Sequence, residues 1–243
     1  MIFAAGMGSR LRPLTDQMPK ALIPVAGVPL LERVIHKLAD AGFDDITINI
    51  HHLGQQIIDF LEAHQNFGLR IHISDERTQL LNTGGGIRYA RTFLEGNEPF
   101  LVHNADILTD TDLNVLWREH QEKGAAATLV VGQRQTSRYL LLDESMRLHG
   151  WTNKSTQEVR PAGLTGNYEE WAFDGIHIFS PSLFRLMEGP QWKGPFSIID
   201  FYLNVCQDSL IQGSPIRATH WFDTGTPDTL KKAEAWYQDY FQK

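Results

Sequence analysis

Strand-like and helix-like runs alternate from the first residues onward, and this alternation restricts the possible folds more than any other feature of the chain. Short apolar runs recur as "MIFAA" (1–5), "ITINI" (46–50), "RIHIS" (70–74), "PFLVHN" (99–104) and "ATLVV" (127–131). Between them lie segments with helical periodicity, near 53–65, near 112–123 and from about Pro29 to Ala41. The last carries Leu30, Leu31, Val34, Ile35 and Leu38 on one stripe and Gly42 as its C′ residue. Repeated strand–helix–strand units predict an α/β fold on a doubly wound, mostly parallel sheet covered on both faces. After 135 the texture changes. "YLLLD" and "RLHGW" predict a hairpin, 152–170 reads as a polar loop, and "FDGIHIF" (173–179) returns to strand. A short apolar strand then leads into "HWFDTGTP" (220–227), where Thr226 and Pro227 supply the N-cap and first turn of a final helix. Leu230, Ala233, Tyr237 and Tyr240 form its inward stripe.

Charge and composition narrow the function. The net charge of −7 argues against broad nucleic-acid binding, which needs an excess of Lys and Arg, so any anionic ligand must meet a local basic cluster. No apolar run approaches the ~18 residues of a membrane helix. Cys206 is the single cysteine, which excludes an internal disulfide, and no signal peptide precedes the first strand, so a cytoplasmic location is the expectation. His51 and His52 are adjacent rather than spaced along a helix face, and neither H-E-x-x-H nor G-x-S-x-G occurs. Zinc hydrolase and serine hydrolase readings therefore lack support. His103, His177 and His220 read as core or rim residues.

A basic, glycine-containing loop follows the first strand: "AAGMGSRLRPLTDQMPKAL" (4–22). A dinucleotide fingerprint fails here because Leu11 stands where the third glycine belongs and Pro13 prevents an immediate helix. A P-loop fails for want of a closing Gly-Lys-Ser/Thr. What remains is a long loop at the carboxyl end of strand 1, where open α/β sheets bind ligands. It carries the backbone N–H groups of Gly6 and Gly8 together with Arg10, Arg12 and Lys20. Guanidinium groups fit phosphate oxygens in bidentate fashion and an ammonium acts as a point charge, so a triphosphate is the natural guest.

Three further features carry chemistry. "TGGGI" (83–87), between a strand and a helix, predicts close approach of backbone to a base or ribose and N–H groups able to bond it. Asp106 in "HNADILTD" and Asp223 in "HWFDTGTP" each end a strand. Either alone is equally well explained as a turn or helix cap. Two strand-end aspartates in one sheet can also hold Mg²⁺, which takes one or two carboxylates and leaves phosphate and water oxygens to complete its octahedron. Asp110 and Asp112 read as caps or solvated residues.

The stretch from Gly6 to Thr15, continuing through Pro19-Lys20 to "LIPVAGVPLL", resembles the signature of the sugar-1-phosphate nucleotidyltransferases, also called nucleotide-sugar pyrophosphorylases. The resemblance implies one Rossmann-like nucleotidyltransferase domain over 1–243, with nucleotide in the half 1–130 and sugar phosphate in 131–243, a small hairpin and loop insertion serving the sugar side. It implies that Arg10 grips the leaving-pyrophosphate side and that Lys20 bridges the α-phosphate and the sugar phosphate. Ala5, Gly6 and Gly8 would line the nucleotide, and Thr83, Gly84 and Gly85 would lie against its base. Glu76 or Gln79 would be the polar residue that reads the base. Asp106 and Asp223 match the metal aspartates, with Ala105 in place of the usual glycine, and Asn104 would contact ribose or sugar. Asn153 and Gly175 fall on the sugar side, Trp151 being either a pocket wall or hairpin core. The family's frequent Glu-Lys-Pro is absent, and Lys154 stands in a different context.

The implied reaction is Mg²⁺-dependent transfer from a nucleoside triphosphate to a sugar 1-phosphate, in a monomer or small homo-oligomer without nucleic acid or membrane partners. "NTGGGI" and "NAD" are most similar to N-acetylmuramate 1-phosphate uridylyltransferases, which points to UTP, and to compact mannose-1-phosphate guanylyltransferase-like proteins, which use GTP. A catalytically silent nucleotide-binding regulatory subunit would be marked by loss of a metal aspartate or the loop lysine. Both are present.

Overall fold

The computed structural model describes residues 1–215 and 218–241, the side chains of Tyr240 and Phe241 excepted, so the expectation for Tyr240 lies outside the described residues. The chain divides into two compact units. One comprises Met1–Leu80, His103–Thr111 and Ala218–Lys243, the other Leu81–Val102 and Asp112–Arg217.

The first unit is organised on parallel strands. Ile2–Phe3 lies between Asp45–Ile50 on one side and the end of Phe100–Asn104 on the other, and Arg70–Asp75 flanks Asp45–Ile50. Ile46, Ile48 and Ile50 are fully buried, as a strand covered on both faces requires. The first strand is shorter than the apolar run "MIFAA" predicts, because the backbone N–H groups of Ala4 and Ala5 leave the ladder and bond a side chain instead. The helix Leu30–Asp40 buries the five predicted apolar residues, and Gly42 follows at φ +91° as the left-handed residue beyond its end. A further helix covers Gly54–Ala63. The last helix, Pro227–Phe241, starts at Thr226, whose Oγ1 accepts the Thr229 N–H at 3.3 Å. Ala233, Leu230 and Tyr237 pack against a cluster containing Leu11, Ile23, Val25, Leu30 and Leu108.

The second unit is mixed. Glu169–Phe179 pairs antiparallel with Ala127–Gly132 and with Arg138–Leu142, and the hairpin of Arg138–Leu142 with Leu148–Asn153 forms as predicted. Ile211–Ser214 runs parallel to Ala127–Gly132. The polar stretch 152–170 differs from the loop expectation. Glu158–Arg160 adds a strand to Leu148–Asn153, with Arg160 opposite Trp151 and its guanidinium 4.4 Å above the indole ring. A cation stacked on an aromatic face supplies the cross-strand contact that the polar composition conceals. Trp151 is thus a half-buried hairpin residue. Asp112 caps the helix Leu113–Lys123, accepting the N–H groups of Asn114 and Val115 at 2.9 and 3.1 Å.

Candidate active site

The basic loop is a series of short 3₁₀ turns, Ser9–Leu11, Leu14–Asp16 and Lys20–Leu22, pinned by two buried residues. Leu11 sits in the core cluster, which sends its neighbours Arg10 and Arg12 outward. Thr15, 1 % exposed, donates its hydroxyl to the Gly8 carbonyl at 2.8 Å, and that carbonyl also accepts the Leu11 N–H. Gly8 stands at φ +61°, and a β-carbon there would lie 2.6 Å from Thr15 Cγ2, so both conformation and space demand glycine. His52 closes the arrangement on the Thr15 carbonyl at 2.9 Å.

Lys20 and the two aspartates converge. Lys20 is buried and pairs through Nζ with Asp106 Oδ2. Ile107–Thr109 and Trp221–Asp223 form a two-stranded antiparallel ladder in which Asp223 stands opposite Ile107, the residue after Asp106. Thr224, fully buried, donates both its N–H and its hydroxyl to the Asp106 carbonyl at 2.9 Å, fixing the spacing of the two carboxylates at this end. At the other end Asp110 accepts the His220 N–H and ring Nδ1–H, each at 3.0 Å, so Asp110 is neither a helix cap nor merely solvated. Burial tends to raise the Asp110 carboxyl, but the bonds from His220 outweigh it and hold the group below the usual carboxylate range.

Arg10 is brought to the same place. A β-carbon on Gly225 would overlap Arg10 Nη2 and come 2.7 Å from Asp223 Oδ1, so the guanidinium and this carboxylate crowd one glycine. Asp223 Oδ1 accepts the Gly225 N–H at 2.8 Å. One oxygen of each aspartate is therefore engaged by the protein. Among the described residues, Asp106 Oδ1 and Asp223 Oδ2 have no partner, and two carboxylates with one unengaged oxygen each fit the few protein ligands Mg²⁺ takes.

Asn49 governs the loop's entry. Its Oδ1 accepts the N–H groups of Ala4 and Ala5 at 2.8 and 3.2 Å, and its Nδ2 donates to Glu76 Oε1 at 2.7 Å. Glu76 is 1 % exposed, which corrects the expectation that its carboxylate might read a base: the group is spent on Asn49 in the interior. Gln79 is exposed. Ala5 is buried with its N–H committed to Asn49, Gly6 is exposed with open space around it, and Asn104 is half-buried at the end of its strand.

In the second unit the glycine run also differs from expectation. Thr83, Gly84 and Gly85 lie inside the helix Asn82–Tyr89, and the N–H groups of Gly84 and Gly85 donate to the Phe196 carbonyl at 2.9 and 3.2 Å. Thr83 Oγ1 accepts the Ile198 N–H at 2.9 Å. A β-carbon on Gly84 would strike the Phe196 ring, and one on Gly85 would lie 2.6 Å from the Gly194 carbonyl. These N–H groups are thus not available to a ligand, and the close approach the glycines permit is to the segment 194–198. Asn153 Oδ1 accepts the Ser155 N–H at 3.0 Å and closes the turn of its hairpin. Gly175, at φ +79°, sits where the register of its strand shifts between Phe173 and His177. The preceding Asp174 is buried and accepts Arg134 Nε at 2.9 Å, and burial raises its carboxyl despite that partner.

The model of the nucleotidyl transferase family matches residues 1–239. The chain belongs to the nucleotidyl transferase family. Across 97 % of its length it is 32 % identical to an N-acetylmuramate alpha-1-phosphate uridylyltransferase of Caulobacter vibrioides, covering 95 % of that relative. It is 34 % identical to the protein of the same description from Neisseria meningitidis, covering 97 % of this chain and 96 % of the relative. Among solved structures, a putative glucose-1-phosphate thymidylyltransferase from Bacillus anthracis superposes with a TM-score of 0.82 at 20 % identity, over 98 % of this chain and 94 % of that one. A UDP-glucose pyrophosphorylase in complex with UDP-glucose superposes with a TM-score of 0.80 at 18 % identity, over 98 % and 97 %. At these identities the structures establish the shared nucleotidyl transferase fold. Thr15, Asn49, Thr224 and Gly225 escape a reading of sequence alone. The signals were an asparagine inside the apolar run "ITINI" and the residues flanking the two aspartate motifs.

Proposed function

We propose that the protein transfers a uridylyl group from UTP to N-acetylmuramate 1-phosphate, releasing pyrophosphate. The observation that carries the reaction class is the convergence of Lys20, Arg10, Asp106 and Asp223 around one two-stranded ladder. The choice of substrates is supported by the two relatives named for that uridylyl transfer, which match nearly end to end.

In the proposed step, an oxygen of the sugar phosphate attacks the α-phosphorus in line, the new P–O bond forms, and the bond to the β-phosphate bridging oxygen breaks. No proton is transferred and no protein nucleophile is required, so catalysis consists of positioning and charge stabilisation. Lys20 is held in place by its ion pair with Asp106, and it bridges the α-phosphate and the sugar phosphate. Arg10, placed across Gly225, faces the leaving pyrophosphate. Asp106 and Asp223 would hold Mg²⁺, which when bound neutralises charge on the phosphates. Gly6 presents backbone to the phosphates, and Gln79 is the candidate for reading the base.

The test is pyrophosphate release across four nucleoside triphosphates crossed with a panel of hexose and amino-sugar 1-phosphates. Release restricted to UTP with N-acetylmuramate 1-phosphate supports the reading. GTP with mannose 1-phosphate would replace the substrates, and no release with any pair would sink the reaction class.

A further inference from the structure

We infer that Asn49 and Glu76 are a positioning pair which sets both nucleotide contacts at once, the entry to the phosphate loop and the turn that carries Gln79; this rests on the nucleotidyl-transfer reading above. The first strand is only two residues long, and Asn49 stands opposite Phe3 in the parallel ladder. Beyond Phe3 the chain leaves the sheet, and the buried N–H groups of Ala4 and Ala5 would lose their partners. Asn49 Oδ1 takes both, at 2.8 and 3.2 Å, immediately before Gly6.

A side chain that accepts on one atom can rotate. The Asn49 amide is held because its Nδ2 donates to Glu76 Oε1 at 2.7 Å. Glu76 is itself immobilised. Its N–H donates to the Ile50 carbonyl at 2.9 Å, and its carbonyl accepts from His51 Nδ1 at 2.7 Å. That same carbonyl accepts the Gln79 N–H at 3.0 Å and so closes the turn on which Gln79 stands. Asn49 is 2 % exposed and Glu76 1 %, so neither pair of bonds competes with water. The geometry also explains the residue types. An aspartate at 49 would keep the two backbone bonds but face a carboxylate with a carboxylate.

Nucleotide affinity by titration calorimetry, KM for each nucleoside triphosphate and thermal unfolding would be measured for the wild type, Asn49→Ala, Asn49→Asp, Glu76→Ala and Glu76→Gln. Removing either partner is expected to raise Kd and KM for UTP about tenfold and to lessen the preference for UTP over other nucleotides. The KM for sugar phosphate should move less. Glu76→Gln restores an acceptor for Asn49 and should stay within about threefold of wild type. Asn49→Ser, which keeps a short acceptor but loses the donor to Glu76, replaces Asn49→Ala if that variant does not fold. Lowered melting temperature with unchanged Kd, KM and nucleotide preference would overturn the inference. A wild-type protein that binds nucleotide but transfers it to no sugar phosphate would instead contradict the proposed reaction, leaving the affinity comparison to decide the role of the pair. A wild type that binds none of the four nucleotides overturns both.

Discussion

Asp223 lies opposite Ile107 in an antiparallel ladder, so the two carboxylates of the candidate site come from the end of one strand, Asp223, and from the turn residue just before its partner strand, Asp106, and Thr224 ties them by bonding the Asp106 carbonyl. Loop, lysine and aspartates form one constellation within a single unit of the fold. Several measurable consequences come from this arrangement.

Lys20 is expected to act by charge placed on phosphate rather than by packing. Lys20→Ala should lower turnover by about a hundredfold or more. The far-ultraviolet circular dichroism spectrum and cooperative unfolding should persist. Retained turnover would remove Lys20 from the mechanism.

Gly225 is the position at which Arg10 and Asp223 Oδ1 crowd together. Gly225→Ala places a methyl where the guanidinium lies, and displacement of that kind is expected to cost about a hundredfold in kcat/KM. Steady-state kinetics alongside a melting curve checks this, the expectation being a large kinetic effect with a small stability effect.

The Asp110 and His220 pair ties the far end of the aspartate ladder. Asp110→Asn and His220→Ala should raise the Mg²⁺ concentration giving half-maximal activity and weaken the nucleotide-dependent binding of Mn²⁺ followed by paramagnetic resonance. Unaltered metal binding would reduce the pair to a fold contact.

His177 is a buried group with a pH signature. Neither ring nitrogen has a hydrogen-bond partner among the described residues, and burial lowers its pKa to about 3. A histidine whose folded value lies below its unfolded value binds fewer protons when folded across the window between them. Its share of stability is therefore intact above about pH 6.5 and is lost as pH falls toward 3. His103 and His120, both lowered to about 4 by burial, act in the same direction. Wild-type urea midpoints should fall between pH 7.5 and pH 5, and His177→Phe should flatten that slope.

The legible part of this protein was whatever depends on spacing along the chain. Five apolar residues on one stripe identified the helix Leu30–Asp40, and Thr226-Pro227 marked the start of the last helix. Asp106 and Asp223 read as strand-end carboxylates; Asp223 ends its strand, whereas Asp106 lies in the turn between Phe100–Asn104 and Ile107–Thr109. What was not legible depends on which groups meet across the fold. Gly84 and Gly85 read as backbone offered to a ligand, yet their N–H groups are taken by the Phe196 carbonyl more than a hundred residues later. Glu76 stands in the sequence as an equal candidate with Gln79 for the polar residue that reads the base, because its burial beside Asn49 leaves no local trace. Strand Glu158–Arg160 was hidden because a polar edge strand held by Arg160 on Trp151 has the composition of a loop.

The central claim is that a sugar phosphate oxygen attacks the α-phosphorus of a nucleoside triphosphate at this site. Its most direct test uses N-acetylmuramate 1-phosphate labelled with ¹⁸O in its phosphate, incubated with UTP, Mg²⁺ and the wild-type protein, with both products analysed by mass spectrometry. The account predicts that all label is retained in the nucleotide sugar and none appears in the released pyrophosphate. Label in pyrophosphate or in free phosphate would contradict it.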